Sequence, residues 1–160
     1  MADKPHHTCL TAREFLYLGL DLINKSVKSE SLARDRFMAH YGTEPVVAAV
    51  VWEMLVDDGW TKKRRRCKPK HLLFALKFKK CYDTEMSTAL ALGVDEKTYR
   101  KWVWFMIEGI ARLKRHVVSI ALLCSIDMQK IVSLVLTFDA IITTRSSCEI
   151  DSTKIVTKKH

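Results

Sequence analysis

Residues Thr84 to Trp104 read TEMSTALALGVDEKTYRKWVW. The stretch has the layout of a helix, a sharp turn at Gly93 and a second helix, as in a helix-turn-helix DNA reader. The first helix needs a small residue where the second crosses it, and Ala89 supplies one. The turn needs a residue that tolerates positive φ, and Gly93 has no Cβ to penalise that conformation. Val94 then turns inward and Asp95 can cap the second helix. Tyr99, Trp102, Val103, Met106, Ile110 and Leu113 fall on one apolar stripe, leaving Glu96, Lys97, Arg100, Lys101 and Trp104 on the opposite face. That polar face is the one a DNA groove would meet, with Lys97, Arg100, Lys101 and Trp104 as base-facing candidates.

An ordinary αα-hairpin with a Gly-containing turn would share much of this pattern without any DNA role. Two details favour that plainer reading. Thr88 occupies a position where such motifs usually carry an aliphatic residue, and Asp95 with Glu96 bring negative charge to the end that phosphates would approach. Both acids also suit a helix N-terminus electrostatically.

The 160 residues suffice for one domain with a core of its own, and 48% hydrophobic with 28% charged residues is a globular composition. The net charge of +9 is concentrated: Lys62 to Lys70 holds seven basic residues and no acid, which leaves +2 for the rest of the chain. Five scattered cysteines and the lack of a secretory apolar segment at the start predict reduced thiols. Cys67, His71 and Cys81 lack the paired spacing of a zinc site, so neither metal nor cofactor is expected, and no small-molecule substrate.

Taken in order, residues 1–10 are polar and are expected to form a flexible N-terminus. Thr11 can cap a helix over AREFLYLGLDLINK, after which SVKSES reads as a linker. SLARDRFMAHY reads as a short helix with Leu32, Phe37 and Met38 inward, stopped by Gly42. Thr43 can cap a further helix with Pro45 in its first turn and Val46, Val50, Trp52 and Leu55 available to the core. Residues 11–60 are thus expected to form one helical subdomain and 61–70 a basic linker. Lys62, Lys63, Arg64, Arg65, Arg66, Lys68 and Lys70 in that linker are the candidate phosphate contacts. Residues 71–114 then form a three-helix unit whose first helix, HLLFALKFKKCY, carries Lys77 and Lys80 as further phosphate candidates. Past Lys114, VVSIALLCSI and KIVSLVLTFDAII are rich in β-branched residues and fit helix or strand, so residues 115–142 stay undecided. Neither run approaches the roughly 20 residues needed to span a membrane. Residues 143–160 are expected to be a flexible tail.

RFMAHYGTEPVVAAVVWEMLVDDG and KPKHLLFALKFKKCYDTEMSTALALGVDEKTYRKWVWFMIEGIARL resemble the N-terminal helical region of Harbinger-like DDE transposases of the diatom and oomycete type. Such proteins carry an RF.AH(F/Y)G..P block, a VWE.L helix, a PKHLL helix and a DEKT.RKWVW helix ahead of a catalytic domain. The likeness covers Arg36 to Leu113 and is most specific over Asp95 to Trp104. It implies a DNA-binding helix-turn-helix that recognises transposon ends in the nucleus. The family's catalytic domain has a first strand with an aspartate in a VDGTD-like pattern and two later acids, which together hold two divalent ions about 4 Å apart. Asp139 in LTFDAI has the apolar setting of such a strand, yet no Gly-Thr-Asp follows and only Glu149 and Asp151 come after it. The sequence therefore predicts a transposase-derived fragment, truncated before the catalytic domain and without cleavage activity.

These readings combine into a mainly α fold, a small helical bundle containing a helix-turn-helix with an ill-defined C-terminal segment. The expected function is sequence-preferring binding of double-stranded DNA, with a homo-oligomer as a second partner and no membrane contact. The competing expectation is a helical interaction or self-association module with no DNA role, using the stripe that ends at Ile110 and the apolar runs after Val117.

Overall fold

A computed structural model describes residues 10–25, 27, 29–81, 84–114 and 126–156, with side chains described for 129–145 of the last stretch. The chain is mainly helical, and no strand occurs among the described residues. The helices are α1 (Ala12–Leu22), α2 (Glu30–Tyr41), α3 (Pro45–Asp57), α4 (Pro69–Lys80), α5 (Glu85–Ala91), α6 (Glu96–Arg112) and α7 (Ile126–Val156), with a 3-10 turn over Trp60–Lys63 between α3 and α4. Cα packing separates two compact units, Met1–Met106 and Ile107–His160. Most of the flexible N-terminus expected over 1–10, residues 115–125 of the undecided apolar segment, and 157–160 of the expected tail lie outside the described residues.

Local rules account for the helix ends of the first unit. Thr11 and Glu14 form a reciprocal capping box at α1: the Glu14 N–H donates to Thr11 Oγ1 (3.3 Å) and the Thr11 N–H to Glu14 Oε2 (2.7 Å). Gly42 ends α2 in the left-handed region at φ 67°. Glu44, not Thr43, is the N-cap residue of α3, with Pro45 in its first turn. The faces differ in part from the expected ones. In α2, Ala33, Phe37 and Tyr41 are buried while Leu32 and Met38 are exposed, because the face meeting α1 is set by the Tyr41 hydroxyl, which donates to the Gly19 carbonyl (2.8 Å). In α3, Val47, Ala48, Val51, Trp52 and Leu55 are buried, Val50 is only half-buried and Val46 is exposed.

α4 is the axis of this unit. Its seven residues His71 to Lys77 are buried in succession, which an amphipathic surface helix would not allow. One side meets α1, α2 and α3. On another, Phe74 meets the fully buried Tyr99 of α6, whose hydroxyl donates to the Phe74 carbonyl (3.4 Å), and His71 and Phe78 meet Trp102 and Trp104. The expected subdomain boundary at 61–70 is therefore absent, since the helix after it completes the core of the helices before it. That segment is folded too. Trp60 is buried, stacks on Phe105 (centroids 5.1 Å apart) and donates its indole N–H to the Phe105 carbonyl (3.0 Å), and α4 starts at Pro69.

In the second unit α7 is helical from Ile126 to Val156, where strand or helix was open up to residue 142 and a flexible tail was expected from 143. Ile131, Leu134, Val135 and Phe138 are buried at helical spacing, and that period, not β-branching, decides the element. The Thr137, Thr143 and Thr144 hydroxyls donate to carbonyls four residues back, which lets these residues sit inside a helix. Asp139 lies on α7 and pairs with Lys114 (2.6 Å), so the strand setting suggested by LTFDAI is not formed.

Candidate nucleic-acid interface

The turn between α5 and α6 has the geometry the sequence required. Gly93 is left-handed at φ 64°, its N–H donates to the Leu90 carbonyl (3.0 Å), and the Val94 N–H donates to the Ala89 carbonyl (2.9 Å), which together make a Schellman ending. Ala89 is buried. Asp95 caps α6 by accepting from the Thr98 N–H (3.1 Å). Thr88 is buried, and burial pushes up the pKa of the neighbouring Tyr99 phenol.

The four base-facing candidates on α6 are not equivalent. Lys97 and Lys101 are exposed one turn apart. Arg100 is exposed but occupied, its Nε bonded to Glu85 of α5 and its Nη2 to Glu96 of α6 (2.6 Å). A guanidinium held by two carboxylates is not free for a guanine edge, which corrects the expectation for Arg100. The same clamp neutralises part of the negative charge that counted against a DNA-facing end. Trp104 is half-buried and packs edge-on against Phe78 (5.8 Å), so it is not an exposed stacking platform. The sequence pattern put Arg100 and Trp104 outward because it shows the polar face of α6 but not that Glu85 and Phe78 lie against that face.

The basic run also divides. The Cys67 N–H donates to the Arg64 carbonyl (2.9 Å), closing a turn with Arg65 and Arg66 exposed at its centre. Arg64 is half-buried, its guanidinium carbon 4.6 Å from the centroid of Phe105 and 5.7 Å from that of Trp102. Arg64, Arg65 and Arg66 share an open cleft of 710 Å³ with Lys101 and Trp102 of α6. Lys62 and Lys63 are exposed on the preceding 3-10 turn, with Lys63 Nζ 4.0 Å from the centroid of the Trp60 ring. Lys68 and Lys70 instead line a groove against α1, which they share with Glu14 and Asp21. Lys77 is buried and cannot reach a phosphate. Lys80 is exposed, but ten residues after Lys70 it stands about 15 Å further along α4.

Beneath the turn His71 is neutral. Burial first, then Lys70 and Lys68, lower its pKa to about 4, and its Nδ1 accepts from the Lys68 N–H (3.0 Å). Burial raises the Cys67 thiol to about 12, so it is unreactive. Sequence reasoning gave no role to Trp60, His71 or Phe105 in holding the basic turn. Its one available signal was a tryptophan two residues before a run of charges.

Among the described residues no group of three or more His, Cys, Asp or Glu side chains is arranged to hold a metal ion, and no helix is long and apolar enough to cross a membrane. Comparison with protein-family models, curated proteins and solved structures gives no match to the chain.

Proposed function

We propose that the chain binds double-stranded DNA through the face made by the Lys62–Arg66 turn and the N-terminal half of α6. The observation that carries this reading is the convergence of Arg64, Arg65 and Arg66 with Lys101 on one cleft, although 35 residues separate Lys101 from Arg66 in the chain. None of these four side chains has an acid partner among the described residues, so an anionic partner would meet them at little competitive cost. Lys62, Lys63 and Lys97 extend the positive face, and a Schellman turn joins α5 to α6, as a helix-turn-helix reading requires. The resemblance of Asp95 to Trp104 to Harbinger-like transposases supports the same reading, and with it a transposon-derived origin and action in the nucleus. Sequence preference would come from Lys97 and its neighbours on the first two turns of α6.

The test is a titration of labelled random duplex with the whole chain and with the triple variant Arg64→Gln, Arg65→Gln, Arg66→Gln. Loss of three phosphate contacts should weaken binding by well over tenfold at moderate salt. Equal affinity of the two proteins would overturn the reading.

One observation favours the second reading, a self-association module. Met86 and Leu90 project from α5 one turn apart at 65% and 81% exposure. The stripe ending at Ile110 is not that surface, because Tyr99, Val103, Met106, Ile110 and Leu113 are buried. A mass that rises with concentration in wild type but not in Leu90→Glu would support it.

A further inference from the structure

We propose that the cleft between the Arg64–Cys67 turn and α6 is a preformed seat for a single phosphate group of the DNA backbone, with Arg64 as its anchor and Lys101 as its second contact. The proposal rests on the DNA-binding reading above and changes one role within it, since Lys101 then holds phosphate and reads no base edge.

A solvated basic run would leave its three arginines equivalent, and the packing makes Arg64 unlike the other two. Its guanidinium lies over Phe105 and Trp102, and Trp102 is in turn stacked on His71 with centroids 3.8 Å apart. Stacking on this floor removes rotamer freedom before any ligand arrives, so less entropy is lost on binding. The backbone of Arg64 is fixed as well, through the bond its carbonyl accepts from Cys67. One guanidinium nitrogen, Nη1, is buried without a hydrogen-bond partner. Nη1 is closed to solvent, so an oxyanion in the cleft would meet the remaining N–H groups of the guanidinium.

The rest of the lining suits the same ligand. Arg65, Arg66 and Lys101 add three cations, and among the described residues no acid lines the cleft. Lys101 comes from α6, so an oxyanion bound there would join the turn to the second helix of the hairpin and fix the register of that helix on the backbone. A planar fork beside a flexible ammonium matches a phosphate, whose free oxygens can accept from both at once. The neighbouring groove of Lys68 and Lys70 offers a contrast, because Glu14 and Asp21 line it and oppose an anion.

The experiment uses the whole chain as wild type, R64K, R65K and K101Q. Inorganic phosphate is titrated against chloride at constant ionic strength while the Trp102 indole N–H resonance is followed. A saturable shift is expected in wild type and R65K and is expected to vanish in R64K. Duplex affinity should fall about tenfold in R64K, the worth of one charge-assisted hydrogen bond, and within about twofold in R65K. K101Q alters an exposed residue, and it should weaken all duplex sequences alike while leaving the log–log salt slope nearly unchanged, because Arg64 still neutralises the same phosphate. If duplex binds but R64K and R65K weaken it equally, or if K101Q changes preference between sequences, the phosphate seat is wrong and the DNA reading stands. If wild type shows the phosphate shift yet binds no duplex at low salt, the seat stands and the DNA reading fails.

Discussion

The imidazole of His71 lies flat on the indole of Trp102, with ring centroids 3.8 Å apart and planes 7° from parallel. The stack ties the first turn of α4 to the middle of α6 and forms the floor on which Arg64 rests. Its condition is that the imidazole stays neutral. A protonated ring would bring charge into a buried site and remove the Nδ1 acceptor that the Lys68 N–H uses.

A pH dependence of stability follows. The folded-state pKa of His71 is depressed to about 4 from 6.5, so the unfolded chain takes up this proton first as pH falls. The contribution is complete above about pH 6.5 and is lost between there and about pH 4. His40, lowered chiefly by burial, acts in the same sense. The urea midpoint should fall across that window, and His71→Phe should flatten part of the fall. An equally steep profile in the variant would show that His71 is not its source.

Arg100→Ala should weaken binding to every duplex alike and leave sequence preference unchanged. The substitution releases Glu85 and Glu96 as two uncompensated charges near the DNA-facing end while removing no base contact. Competition between random and selected duplexes measures this. Loss of affinity for the selected duplex alone would mean that Arg100 leaves its clamp to read a base.

Gly19→Ala should destabilise the first unit by about 1–3 kcal/mol, the usual cost of overfilling a packed core. A Cβ at this position would stand 2.5 Å and 2.6 Å from ring carbons of Phe37 and 2.9 Å from one of Tyr41, and both rings are fully buried. Urea unfolding reports the loss, and a midpoint equal to wild type would contradict this packing.

Gly93→Ala tests the turn by a different route. No described residue lies within 4 Å of a Cβ there, so the cost is that of the left-handed backbone alone, about 1–2 kcal/mol. Gly93→Asn should cost less, since asparagine tolerates that region. Equal losses for the two variants would point to a steric cause that the open surroundings do not provide.

The hairpin was legible because its rules are local. Ala89, Gly93 and Asp95 sit at fixed offsets along the chain, and each does what its offset requires. The basic run was legible as charge but not as structure. What folds it is Trp60 on Phe105, a pairing 45 residues apart that no window of sequence displays. The same gap explains Lys77, which the pattern put outside although α4 is enclosed on several sides, and Arg100, whose second carboxylate comes from another helix. α7 was ambiguous because β-branched residues serve either element, and only the spacing of its buried residues decides between them.

The central claim is that a small set of converging cations meets duplex DNA, and the salt dependence of wild-type binding tests it most directly. Arg64 and Lys101 on one phosphate, with Arg65 and Arg66 on one each, predict a slope of log affinity against log salt of about −2.7, at roughly −0.9 per phosphate. A flat slope, or no binding at low salt, would contradict it.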